Sequence, residues 1–496
     1  MSLIKHLMDE ARITASALGD YWGGTGLRLG VTGLSRAGKT VFITALVQNL
    51  LQASAAAREG ERVLPVFKAH AEGRLKRVRL EHQPDDAIPR FAVEDHIAAL
   101  TGPDRHWPQS TRRISELRLT LEFERGPGWR AGPSELTLDI VDYPGEWLLD
   151  LPLLTKSYAD WSRETLEAAS AAARAPLAAD WRGLTAETDA SDPASEERAQ
   201  KLAQSFTAYL HAARADAYAL STLPPGRFLM PGDLDGSPAL TFAPLRLVEG
   251  QVADTGSLHA MMERRYEAYK SLVVRPFFRD HFSRLDRQIV LVDALSALNS
   301  GPAAVRDLEN ALTDVLRAFR TGRSGLLSTM FRPKIDRILF AATKADHLHH
   351  TSHDRLEAIL RMLTGRAIAR AEAVGAQVDV IAMAAIRATH EATIKQARFG
   401  APPLNAIVGV PLAGEQVDGD VFDGVAEAAI FPGELPADPK AVFRGDGLGA
   451  PVADADYRFV RFRPPPPRLA RDGALLAPPS IRLDRAVEFL IGDRLQ

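Results

Sequence analysis

One stretch constrains this chain more than any other: Gly33-Leu-Ser-Arg-Ala-Gly38-Lys39-Thr40. It follows the apolar run LRLGVTG at 27–33 and opens a segment, 39–53, that carries Val41, Ala45 and Leu46 on one side. Strand, glycine-bearing loop and helix in that order begin an α/β nucleotide-binding fold. The spacing G-x-x-x-x-G-K-[ST] has a physical basis. Two glycines let the backbone curl so that its N–H groups point at phosphate oxygens. Lys39 places a point charge near the β and γ oxygens. Thr40 offers a hydroxyl to Mg²⁺, and the helix that starts there adds its positive end. The expected phosphate-binding set is Gly33, Ser35, Arg36, Ala37, Gly38, Lys39, Thr40 and Val41. Arg36 can reach phosphate or a partner, or stand solvated or salt-bridged.

Further elements follow in order. Asp142-Tyr-Pro-Gly145 ends the strand-like SELTLDIVD. A carboxylate at a strand's C-terminal end beside the phosphate loop is where Mg²⁺ is held through water. Gly145 leaves an N–H to meet a γ-phosphate and lets the next segment move with nucleotide state. Thr343-Lys344-Ala345-Asp346 ends the strand-like DRILFAATK. Asp346 can accept two hydrogen bonds from guanine N1–H and the N2 amino group, a donor pair that adenine lacks. Lys344 can lie along the base through its aliphatic stem. Ala384-Ala385-Ile386-Arg387, after QVDVIAM, is placed to close over the base with backbone N–H groups.

The rest of the chain fits around these motifs. Its 496 residues suggest about two to four domains. A helix is expected over 1–20, a hairpin from 116–123 and 134–142, and a mostly helical block over about 150–285. In that block Leu202, Phe206, Tyr209, Leu210 and Ala213 share one helical side, and Pro276 should end or kink a helix over about 258–275. The runs at 287–295, 336–344 and 377–385 are continuously apolar, as in a parallel sheet covered on both sides. Residues 400–480, rich in Gly and Pro, read as β-rich or irregular, with a last helix near 481–490. Arg74–Arg79 suits an edge strand with a solvated face.

Composition excludes several classes. A formal charge of −3 gives no global basic field, so no specific nucleic-acid partner is expected. The absence of cysteine excludes disulfides, thiolate metal sites and cysteine nucleophiles. The opening MSLIKHLMDEARITASALGDYW lacks the long apolar core of a signal peptide, and no apolar run is long enough to span a bilayer.

The ordered set GLSRAGKT, DYPG, TKAD and AAIR resembles the translation-factor-like class of GTPases. More closely, the chain resembles the bacterial YcjX-like family of stress-associated P-loop NTP-binding proteins. The segments PLAGEQVDGDVFDG and AAIFPGELPADP within 411–439, and FVRFRPPP at 459–466, extend the likeness to near the chain's end. The resemblance implies an α/β P-loop fold, G-domain-like, with a mixed sheet, a helical insertion and a β-rich C-terminal extension. The corresponding segments are 1–150 and 286–400 for the nucleotide domain, 151–285 for the insertion and 401–496 for the extension. It implies GTP or GDP with Mg²⁺ as ligands. Lys39, Thr111, Gly145 and Glu146 would act in catalysis. Thr40, Thr111 and Asp142 would hold the metal, with Ser110 as the alternative to Thr111. Thr343, Lys344, Asp346, Ala385 and Ile386 would hold the base.

Two positions depart from the usual pattern. Glu146 stands where many GTPases have a water-positioning Gln, and Thr343 replaces the Asn of NKxD. The expected activity is therefore a Mg²⁺-dependent, slowly hydrolysing GTP switch with a stress role. An ATPase of the same fold and a non-hydrolysing nucleotide-binding scaffold are the alternatives. The resemblance further implies a cytoplasmic protein with a protein effector, or one held at the inner membrane through a membrane-associated partner. Three smaller features have two readings each. His347, His350 and His353, spaced by three, can share a helix face for a metal or serve as caps and packing groups. Asp293 can face the site or cap the next helix. The four prolines at 464–467 can hold an extended segment against the core.

Overall fold

The computed structural model describes residues 26–33, 36–59, 63–109, 113–126, 132–215, 220–221, 224–248, 250, 252–317, 335–394, 403–445 and 457–496. The helix expected over 1–20 lies outside them, as do Ser35, Ser110 and Thr111.

Seven strands form one sheet: β1 (Gly26–Gly33), β2 (Leu75–Glu81), β3 (Ser115–Arg125), β4 (Gly132–Asp142), β5 (Arg287–Val292), β6 (Arg337–Ala342) and β7 (Gln377–Ala382). Their order is β2-β3-β4-β1-β5-β6-β7. β4, β1, β5, β6 and β7 run parallel, and β3 and β2 are antiparallel additions at one side. The continuous apolar runs have the expected cause: every residue of β5 is buried. β2 is the edge strand its charges suggested. Lys76 pairs with Glu124, and Arg79 reaches Glu81, Glu122 and Glu135, so its basic stretch is balanced by acidic neighbours.

Helices α1 (Lys39–Glu59) and α2 (Val93–Thr101) pack on one face. On the other lie α3 (Tyr158–Ser170), α4 (Ala179–Ala186), α5 (Glu196–Arg214), α6 (Leu258–Tyr269), α7 (Ala294–Ser300), α8 (Pro302–Arg317), α9 (His353–Leu363) and α10 (Gly365–Ala373). The predicted apolar side of α5 is buried. The helices between β4 and β5 share one continuous core with the sheet, running from Val141 and Tyr143 through Trp161, Trp181 and Phe206 to Val290 and Phe340. The buried pair Arg174–Asp307 fastens this block to α8.

Pro276 does not end the helical path. α6 passes into one π turn, Lys270–Val274, and continues as Arg275–Asp280. The wider turn accommodates a residue with no N–H to donate.

After β7 the chain forms β8 (His390–Ile394), β9 (Leu404–Gly409), the ribbon β10 (Gln416–Val417) with β11 (Asp420–Val421), and β12 (Ala428–Ile430). β12-β9-β8 is a separate antiparallel sheet with a small core of Ile407, Ile430, Val460 and Phe462. The final helix, α11 (Leu483–Ile491), returns to the α1 face. Arg287, at the start of β5 and 1% exposed, locks it there through Asp336, Asp493 and the Leu490 carbonyl. Among the described residues no helix is long and apolar enough to cross a membrane.

Candidate functional site

Parallel strands share one C-terminal edge, and the strand order changes direction at β1, where α/β sheets bind ligands. Gly33 ends β1 against Leu291 of β5. A Cβ there would meet the Leu291 carbonyl at 2.9 Å and the Ala37 side chain at 3.1 Å, so only glycine fits this approach. Gly38 has open space but a φ of +81°, and Arg36 also adopts a left-handed φ of 64°. These conformations curl the loop before α1 starts. Ala37 is buried and Val41 packs on the α1-face core, so their side chains serve packing. Lys39 is almost fully buried, its Nζ 3.4 Å from the Gly33 carbonyl.

Thr40 Oγ1 lies 3.5 Å from the Gln109 carbonyl. The chain leading to Thr111 therefore approaches the phosphate loop despite about 70 intervening residues. Asp142, 1% exposed, ends β4 opposite Val31 of β1. A buried carboxylate and a hydroxyl are hard oxygen donors, which suits Mg²⁺.

Behind Asp142, Gln288 Nε2 bonds Thr32 Oγ1 and the Tyr143 hydroxyl, at 3.0 and 3.3 Å. Burial pushes the Tyr143 phenol well above its usual range. Gly145–Thr155 then forms eleven residues of 3₁₀ helix, mostly buried. Such long 3₁₀ runs are uncommon. Its contacts run to the helical insertion. Glu146 pairs with Arg214, the last residue of α5. Trp147 Nε1 donates to the Met230 carbonyl at 3.2 Å, under the Arg227 guanidinium. Asp150 accepts from Gly226 N–H at 2.6 Å and from the Tyr269 hydroxyl at 2.6 Å. Burial raises the Asp150 carboxyl to about 6, against the opposing pull of these bonds.

On the other side of β1, Asp293 takes the capping role that the sequence allowed. Its carboxylate caps α7 by accepting from Ser296 N–H, and it pairs with Lys344. Thr343 Oγ1 is 3.4 Å from the Val292 carbonyl and braces the loop. Asp346, 4% exposed, accepts Ala388 N–H at 2.8 Å, while its carbonyl accepts the Thr389 hydroxyl. Ala384 and Arg387 N–H groups are committed to Ile481 and Pro479 carbonyls. The Ile386 side chain is core.

The three histidines do not converge. His347 meets Phe462 edge-on and His353 bonds the Ala345 carbonyl at 2.9 Å. Burial lowers the pKa of both rings. His350 instead bonds Glu391 of β8 at 2.6 Å, with His349 beside it; the ligand atoms of the three lie within 4.8 Å of one another.

Three groups were missed from sequence. Arg214 and Glu391 had no local signal, because their partners are remote in the chain. Trp107 lies just before Ser110 and Thr111 and carries no motif of its own. Its Nε1 donates to the Phe462 carbonyl at 2.6 Å, and Arg105 Nε donates to the Pro464 carbonyl at 3.0 Å. The proline-rich strap thus lies against the segment leading to Thr111. Pro464–Pro467 also line a small cleft with Gln48, Leu100 and Ile386.

The model of the YcjX-like family, DUF463, matches residues 27–495. The chain is 39% identical over 479 residues to the Escherichia coli (strain K12) protein named Ras-like GTPase YcjX, spanning 95% of this chain and 96% of that protein. It is 34% identical over 489 residues to the protein of that name from Shewanella oneidensis, spanning 95% of each. A match over nearly the whole chain, on a sheet that carries a phosphate loop at its switch point, has one reading: the chain belongs to the YcjX-like family.

Proposed function

We propose that this protein is a Mg²⁺-dependent GTPase of low intrinsic turnover, working as a nucleotide-dependent switch. The observation that carries the reading is the common strand edge: Gly33 and Asp142 end β1 and β4, and Asp346 lies in the turn that follows β6 of the same parallel set. The relatives' name, Ras-like GTPase, supports the same assignment. Lys39 and the loop amides bind the phosphates and stabilise charge on the transferred phosphoryl group. Thr40, Asp142 and Thr111 hold Mg²⁺, which when bound supplies charge neutralisation across the phosphates. Asp346 reads guanine, Thr343 braces its loop, and the amides of Ala385 and Ile386 close over the base. The 3₁₀ segment 145–155 carries nucleotide state to the helical insertion, and an effector reads it there. A membrane-associated effector and a role in stress follow from the family resemblance.

Calorimetric titration of nucleotide-free protein with GDP and ADP, each with Mg²⁺, tests the reading. GDP should bind at least ten times tighter, a gap of about 1.4 kcal/mol. Equal binding, or a preference for ADP, rejects guanine readout by Asp346 and favours an ATPase.

A further inference from the structure

Among the described contacts between the helical insertion and the segment after Gly145 is one charged pair. Glu146 is 5% exposed, and its carboxylate bonds the Arg214 guanidinium. Its backbone carbonyl sits so close to Gly226 that a Cβ there would come within 1.8 Å. Glu146 is thus gripped from two sides by the same insertion. Arg214 ends α5, whose buried side is anchored by Leu202, Phe206, Tyr209, Leu210 and Ala213. Its side chain is 19% exposed. It reaches back to the strand edge that carries the loop: the Glu146 it holds lies four residues beyond Asp142, at the end of β4, the strand paired with β1, and, after burial, its charge helps to lower the Arg36 guanidinium. A cation on a rigid helix end therefore lies within electrostatic reach of both the loop and the carboxylate that replaces the usual Gln.

We propose that Arg214 is the hydrolytic cation of this site, supplied within the chain by the helical insertion, held by Glu146 and shared with the γ-phosphate when GTP fills the loop. The inference rests on the GTPase reading above and deepens it. A lone Glu146 carboxylate would repel the γ-phosphate; Arg214 cancels that charge. The guanidinium has five N–H donors in a planar fork, so it can keep a bond to Glu146 and offer others to phosphate oxygens. In the reaction a water oxygen bonds to the γ-phosphorus. The bond from phosphorus to the β–γ bridging oxygen breaks, with its electron pair left on GDP. The water's proton passes to the departing phosphate, giving GDP and inorganic phosphate. A preorganised cation stabilises the charge that builds during this transfer. Glu146, relieved of its repulsion, positions the water.

The test separates binding from hydrolysis, using full-length wild type, Arg214→Ala and Arg214→Lys. GDP affinity is measured by calorimetry, phosphate release in a single turnover of GTP, and formation of a GDP–aluminium fluoride complex by gel filtration. Both variants should bind GDP within about threefold of wild type, lose at least about 100-fold in rate, and fail to trap aluminium fluoride. Guanidinium added to Arg214→Ala should restore part of the rate. Lysine keeps the charge pair with Glu146, so a merely structural arginine would be rescued by Arg214→Lys. Rates within threefold of wild type in either variant overturn the inference. So does a wild type that binds GDP but neither releases phosphate nor traps aluminium fluoride. A wild type that fails to bind GDP overturns the GTPase reading itself.

Discussion

Gly226→Ala probes the docking of the switch segment without touching a charged group. The added Cβ would lie 1.8 Å from the Glu146 carbonyl oxygen and 2.5 Å from its carbon. Both obstacles are backbone, so no rotamer change relieves them, and one strand of chain must move by more than an ångström. Overpacking of this kind costs about 1–3 kcal/mol. The move also strains the Gly226 N–H bond to the buried Asp150 carboxylate, a bond to a charged group worth about 1.5–3 kcal/mol. The lost freedom of the unfolded chain returns about 0.4–1 kcal/mol. The expected net loss is about 2–4 kcal/mol, read from urea unfolding followed by circular dichroism. Gly183→Ala is the control. Gly183 lies exposed inside α4 with nothing within 4 Å of its added Cβ, so that change should stabilise by up to about 1 kcal/mol. A Gly226→Ala protein within about 0.5 kcal/mol of wild type would refute the tight fit between Glu146 and the insertion.

Arg287→Ala should cost about 2–4 kcal/mol in urea unfolding, because Asp336, Asp493 and the Leu490 carbonyl lose their buried guanidinium donor; Arg494 and Arg337 still face the two aspartates, which are partly exposed, and this keeps the loss moderate. Asp150 should make stability fall as pH rises from about 4 to about 6: its folded pKa is raised, so the neutral acid is favoured in the fold and ionisation opposes folding by at most about 3 kcal/mol above that window. Asp150→Asn should flatten this slope in melting curves taken across pH 4–7, and an unchanged slope rejects the assignment. GTP with Mg²⁺ should shift the emission of Trp107, whose ring bonds the proline-rich strap two residues before Gln109; Trp107→Phe should abolish that component, and its persistence would place the signal elsewhere.

The parts of this fold that announce themselves in sequence have local causes. β5 and β6 read as strands because burial on both faces demands unbroken apolar runs, whereas β7, at the sheet edge, is buried only over its last three residues, which is why Gln377 and Asp379 interrupt its run. The phosphate loop reads because its glycines answer to a close strand contact at Gly33 and a positive φ at Gly38. What stayed hidden depends on distant partners. The Glu146–Arg214 and His350–Glu391 pairs join residues that no spacing rule connects. Spacing by three suggested a shared face for His347, His350 and His353, but a 3₁₀ turn at 350–352 and the Leu348 bend send each ring to a different neighbour. Asp293 was ambiguous because one carboxylate has two oxygens and uses both. The helical stretch after β4 read as a block apart, since amphipathic periodicity shows that a face is buried but not what buries it; its apolar side is continuous with the sheet's.

The placement of α11 has a consequence for biosynthesis. Chains fold while they are being made, N-terminal parts first. β1 and α1 emerge early, yet the layer that holds Phe42, Leu46 and Leu50 is completed by Leu483, Val487, Leu490 and Leu495. Asp484 and Glu488 of that same late helix bond the Val66 and Lys68 amides. The nascent nucleotide-binding half must therefore wait, apolar flank uncovered, until the last helix leaves the ribosome. A chain cut before Leu483 should leave that flank uncovered, and a drop in its yield of folded protein would show it.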